Sequence, residues 1–184
     1  VSGLTLHDIR RRFESSADFN EIFEAFEHAL RQRLDDIELY RQLFWNPSLS
    51  PDELRLFGEK LSTEFTHISY DVYMWLASVF EATTSANDNY ELAVEYYRKA
   101  ARSAPVRPEP YLYAADCYEP DLNIPPIAVL IKFLKEGTQN VPAPKLLFHR
   151  LSHLYDSIGN DEMAAFCRRK AQEGTTPQDA PPEL

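Results

Sequence analysis

Apolar positions recur along the chain at intervals of three and four residues, as in "ELAVEYYRKAA" from Glu91, and no stretch alternates with period two. The pattern predicts ten helices, over about Leu6–Glu14, Phe19–Arg33, Ile37–Phe44, Pro51–Glu64, Tyr70–Glu81, Tyr90–Ser103, Glu109–Tyr118, Pro126–Gln139, Pro144–Ile158 and Asp161–Gln172. Several starts carry their own chemistry. "SPDE" sets Ser50 as N-cap, Pro51 in the first turn and Glu53 at the reciprocal capping position. "DNYE" offers Asp88 and Glu91 at the same spacing, and Asn160 precedes the last helix as a cap. Prolines in "APVRPEP" and "EPDLNIPP" mark the stops, and the polar, proline-rich "GTTPQDAPPEL" predicts a disordered tail over 173–184.

A longer period overlies the helical one. Aromatic residues open helix patterns at Tyr40, Tyr73, Tyr111 and Phe148, spaced 33, 38 and 37 residues apart. After three of them one motif follows: "YMWLASVF", "YLYAADCY" and "FHRLSHLY". The small residues Ala77, Ala115 and Ser152 let helices approach, and Phe80, Tyr118 and Tyr155 fill the space beside them. From Tyr73 the unit continues through Ala93, Tyr97 and Ala100 to Pro105. This resembles the tetratricopeptide repeat, a helix–turn–helix unit of about 34 residues with the pattern W-x2-L-G-x2-Y…A-x3-F…P. The last unit matches through Phe148, Leu151, Ser152, Tyr155, Gly159, Ala164 and Ala171, and departs at Arg168. In the middle unit the small position of the second helix falls on Ala128 or Val129. The unit from Tyr40 is degenerate, with Phe44 where a small residue belongs and Pro47 where an aromatic belongs.

The resemblance implies an all-α fold, antiparallel helix pairs stacked as a right-handed α-solenoid. Residues 1–68 form an N-terminal helical segment with a degenerate unit, and 69–172 form three repeats. "TTSAND" and "PDLNIPP" lengthen the turns of two successive units and should lie side by side. In this family the first helix of each repeat lines a concave binding surface. The lining positions would be Glu38, Arg41 and Trp45; Asp71, Met74 and Ser78; Glu109, Leu112 and Asp116; and Leu146, His149 and His153. Glu81, Glu119 and Asp156 extend that face, which makes it acidic, with Met74, Leu112, Leu146 and Trp45 as apolar footholds. Partner contact is expected at Asp71, Met74, Glu109, Leu112, Asp116, His149 and His153. The family's clamp for acidic C-terminal tails needs cations and amides where Met74, Ser78, Leu112 and Asp116 stand. A basic or amphipathic polypeptide is the expected partner. Trp75 reads as core or as packing between repeats.

Composition narrows the field. The 184 residues are 44% hydrophobic and 26% charged, the balance of a folded protein, with only 5 glycines against 12% aromatics. A formal net charge of −10 argues against nucleic acid or anionic membranes as main partners. "DIRRRF" is a short basic cluster that meets the chain's own acidic surface or a partner. "IPPIAVLIKFL" is far too short to span a membrane. The start lacks the apolar core and cleavage site of a signal peptide, so a cytoplasmic location is expected. Because the sequence begins at Val1 rather than Met, a preceding segment and export stay open. Cys117 and Cys167, without CxxC spacing, read as reduced buried thiols.

No phosphate loop, nucleophile elbow or HExxH motif occurs, so no catalytic residues, cofactor or metal are expected. His149 and His153 stand one turn apart, and a metal site would need a third ligand such as Asp116 or Asp156. The main expectation is a non-catalytic protein–protein interaction module. Its alternatives are a chaperone or adaptor for one client, a homo-oligomer closing on its own repeat surface, and a metal-dependent enzyme on a helical scaffold.

Overall fold

The computed structural model describes residues 3–83 and 88–173. It contains ten α-helices and no strand among them. The chain divides into two compact units, 1–82 and 83–184. The repeat read from Tyr73 to Pro105 thus has its first helix in one unit and its second in the other.

The first unit holds α1 (Leu6–Ser15), α2 (Phe19–Arg31), α3 (Ile37–Phe44), α4 (Pro51–Glu64) and α5 (Ser69–Ala82), with a 3-10 turn at Thr66–Ile68. Caps explain where these helices begin. Ser50 and Glu53 form the expected capping box. Thr5 and Asp8 form a second one ahead of α1, and Asp18 and Asp36 cap α2 and α3. Helices α1 and α2 pack against each other, as do α4 and α5. Along the other direction α1 meets α3 and α3 meets α5, so the odd-numbered helices form a row.

Buried aromatics knit this unit together. Tyr40 lies 5.9 Å from Phe13 and 6.1 Å from Phe26, and Phe26 lies 4.9 Å from Phe57, centroid to centroid. The Tyr40 hydroxyl donates to the Leu34 carbonyl at 2.6 Å, so the ring is buried without stranding a polar group. The departure from repeat pattern in "YRQLFWNP" has a structural reason. Asn46 is buried, and its amide donates to the carbonyls of Phe13 (2.8 Å) and Ser16 (3.0 Å) at the end of α1. Its Oδ1 accepts the Ser48 N–H at 2.9 Å. A polar tie replaces the aromatic plug expected just after it.

The second unit holds α6 (Asp88–Ser103), α7 (Glu109–Asp116), α8 (Ile127–Asn140), α9 (Lys145–Ser157) and α10 (Asp161–Glu173). Helix α7 packs on α6, α8 and α9, α8 packs on α9, and α9 packs on α10. Asn160 caps α10 as expected, accepting the Met163 N–H at 3.1 Å. Gly159 turns the chain between α9 and α10 at φ +71°, a left-handed conformation that glycine adopts freely. The expected Asp88 cap rests on a side chain outside the description. "TTSAND" and the tail beyond Glu173 also fall largely outside the described residues. "PDLNIPP" folds into a turn closed by Glu119 N–H to Ile124 carbonyl (2.8 Å), and Asn123 Oδ1 accepts the Ile127 N–H at 3.2 Å.

The register of α8 differs from both sequence candidates. Ala128 is exposed and Val129 half-buried, whereas Leu130, Leu134 and Gly137 are buried at the four-three spacing shown by Ala93, Tyr97 and Ala100 in α6. Gly137 supplies the close approach that an earlier small residue would otherwise give. A Cβ there would stand 2.8 Å from the Tyr111 ring and 3.0 Å from Leu147 Cδ1.

Candidate partner-binding surfaces

In the first unit the row α1, α3, α5 bears a pocket of about 420 Å³ lined by Glu14, Arg41, Gln42, Trp45 and Trp75. Trp45, at the C-cap of α3, is 46% exposed, an unusual position for so large an apolar surface in water. Trp75, half-buried on α5, carries the Arg41 guanidinium 5.4 Å from its ring centroid. Arg41 is further held by Glu38 at 3.1 Å. Gln42 has a buried side-chain oxygen with no hydrogen-bond partner. Arg41 and Trp45 are expected lining positions, whereas Trp75, expected in the core or in packing between repeats, stands half-buried at this pocket. Glu14 is not among the expected positions because α1 carries no repeat pattern, and Gln42 because it falls between the lining positions Arg41 and Trp45. Nearby on α5, Asp71 is exposed and Met74 half-buried, and Asp71 has no ion pair with a described residue.

In the second unit α7 and α9 carry the remaining expected positions. Leu112 is half-buried, while Asp116, Leu146, His149 and His153 are exposed. The two imidazoles lie edge to face, 4.6 Å between centroids. They are not joined by a third ligand. Asp116 pairs with Arg150 at 2.9 Å and Asp156 with Arg168 at 2.7 Å, and no three His, Cys, Asp or Glu gather among the described residues.

Those pairs also alter the electrostatics expected of the face. Glu109, at the start of α7, is bound by Arg107 at 3.2 Å. Burial pushes its carboxyl upward, but hydrogen bonds from Arg107 and from the Glu109 backbone outweigh it and hold the group below the ordinary glutamate range. Arg107, Arg150 and Arg168 therefore neutralise three of the carboxylates that made the face read as acidic. Arg150 and Arg168 lie outside the lining positions in sequence, and only the packing of α7, α9 and α10 reveals them. The two thiols are free and buried, with the Cys117 Sγ donating to the Tyr113 carbonyl at 3.3 Å. Near the N-terminus Arg12 meets Glu24 at 2.5 Å, so part of the basic cluster serves the chain's own surface.

An all-α chain of antiparallel helix pairs, with its odd-numbered helices in rows, is a helical solenoid of the tetratricopeptide-like kind. Among solved structures it is similar to crystal structures of MamA. One matches with a TM-score of 0.53 at 17% identity, over 92% of this chain and 89% of the other. A second matches with a TM-score of 0.52 at 17% identity, over 85% and 88%. At that identity the likeness is one of fold. No family model and no curated protein matches the sequence. No described helix is long and apolar enough to cross a membrane.

Proposed function

We propose that this chain is a non-catalytic protein–protein interaction module that holds an amphipathic segment of a partner polypeptide along the odd-numbered helices α1, α3 and α5 of its first unit. The observation that carries this reading is the pocket framed by Trp45 and Trp75. Tryptophan and arginine are the residues in which binding energy concentrates at protein interfaces, particularly where a concave surface lets them exclude water. In this reading Trp45 and Met74 take apolar anchors of the partner, and Asp71 and Glu14 take its Lys or Arg groups. On the second unit Leu112, Leu146, His149 and His153 offer a mixed face, to which Asp116 and Glu109 contribute less charge because each already holds an arginine.

Binding of a basic partner therefore rests mainly on the first unit, with charge setting orientation and on-rate more than affinity. The fold supports the reading by analogy, since helical repeats present extended surfaces to proteins. The test is affinity capture from the source organism with three baits: wild type, Trp45→Ala and Asp71→Lys. One discrete partner, lost with Trp45→Ala and weakened with Asp71→Lys while circular dichroism stays unchanged, is expected. Equal capture by all three baits, or no discrete partner, would overturn the proposal.

A further inference from the structure

A second cavity, of about 230 Å³, lies on the second unit between α6 and α8, and none of the expected partner-facing positions on α7 and α9 lines it. Arg98 and Arg102, one turn apart on α6, and Lys132 on α8 surround it. Glu136 and Asn140 follow one and two turns along α8, and the Tyr111 ring stands beside them. Several other cations of this unit hold carboxylates: Lys99 with Glu95, Arg107 with Glu109, Arg150 with Asp116, Arg168 with Asp156 and Lys170 with Glu173. Arg98, Arg102 and Lys132 make no ion pair with a described residue, although the chain as a whole carries a net charge of −10.

Arg98 is also held in place. Its guanidinium lies 5.4 Å from the Phe133 ring centroid, and its Nη2 donates to the Val129 carbonyl at 3.4 Å. Its Nε is buried and has no acceptor. A buried guanidinium N–H without an acceptor is costly, and in native proteins such a group calls for an explanation such as a bound ion.

We propose that this cavity binds a phosphate dianion, free or as the end group of a small phosphate monoester. Three cations and one carboxylate give the lining a net formal charge of +2, which a dianion matches and a carboxylate half-matches. Arginine forks suit the tetrahedral array of acceptor oxygens. The volume falls below the roughly 300 Å³ at which pockets begin to enclose whole drug-sized ligands, so it takes a head group rather than a nucleotide.

The test uses the full chain, calorimetric titration and four anions at matched ionic strength: inorganic phosphate, glycerol 3-phosphate, acetate and chloride. Saturable binding of one or both phosphates, absent with acetate and chloride, is expected. The ratio of the two phosphate affinities identifies the free ion or the monoester as the better ligand. The double variant Arg102→Gln, Lys132→Gln removes two exposed cations and should weaken binding at least tenfold. Glu136→Gln removes the opposing charge and should tighten it several-fold. Monoester binding should also weaken from pH 8 to pH 5, because the second ionisation lies near pH 6. No saturable binding, equal binding of acetate, or unchanged affinity in both variants would overturn the proposal.

Discussion

Gly137 has no room for a side chain, because a Cβ would fall 2.8 Å from two atoms of the Tyr111 ring and 3.0 Å from Leu147. Tyr111 is buried and packs on Phe133 at 4.7 Å, so moving it off Gly137 would break that contact. Gly137→Ala should therefore lower stability by about 1–3 kcal/mol, the usual cost of overpacking, although alanine is the better helix former. Urea unfolding checks this, and an unchanged midpoint would contradict the packing described. Burial pushes the Cys167 thiol up to about 11. A folded-state value above the unfolded one gives stability that is whole below the ordinary thiol range and lost as pH rises through about 11. At pH 8 the native protein should leave Cys167 unreactive toward a thiol reagent, and unfolding should release it. Glu109 has the opposite sign: its depressed carboxyl stabilises above the ordinary glutamate range and stops doing so as pH falls through its lowered value. Gly137 could not be weighed from sequence, since its contacts depend on which helices meet, whereas Arg107 stands only two residues from Glu109 and its hold on that carboxylate is local.

At the scale of elements the sequence was most informative where the signal is local. The capping box at Ser50, the Asn160 cap and the proline stops are short-range chemistry, and the helix limits they imply lie within about two residues of those observed. Ser50→Ala should cost α4 about 1 kcal/mol, read as a lower denaturation midpoint. Register between helices is a different matter. In α8 two small residues offered themselves to the pattern, but burial follows Leu130, Leu134 and Gly137, because the neighbours across the interface choose the face. Asn46 makes the same point more sharply. Its two amide bonds to Phe13 and Ser16 join α3 to α1 across some 30 residues of chain, and no periodicity announces them. Asn46→Ala leaves buried carbonyls unpaired and should cost about 2–3 kcal/mol, more than the cap at Ser50. A smaller loss than that of Ser50→Ala would show the tie to be dispensable.

For the molecule as a whole, net charge proved a coarser guide than charge placement. The lining positions of a chain with formal charge −10 predict an acidic groove, yet Arg107, Arg150 and Arg168 take up the carboxylates of Glu109, Asp116 and Asp156. A charge reversal at Asp116 would break a pair with Arg150 as well as altering any groove, so Asp71 is the cleaner position to reverse. The account's central claim concerns the pocket between Trp45 and Trp75, and the composition supplies its probe. The chain has 2 tryptophans, and both line that pocket. The most direct measurement is the tryptophan emission of the full chain during titration with its captured partner. A saturable blue shift is expected, with half-saturation equal to the affinity measured by calorimetry. Saturable calorimetric binding with emission unchanged throughout would contradict the claim and place the interface elsewhere.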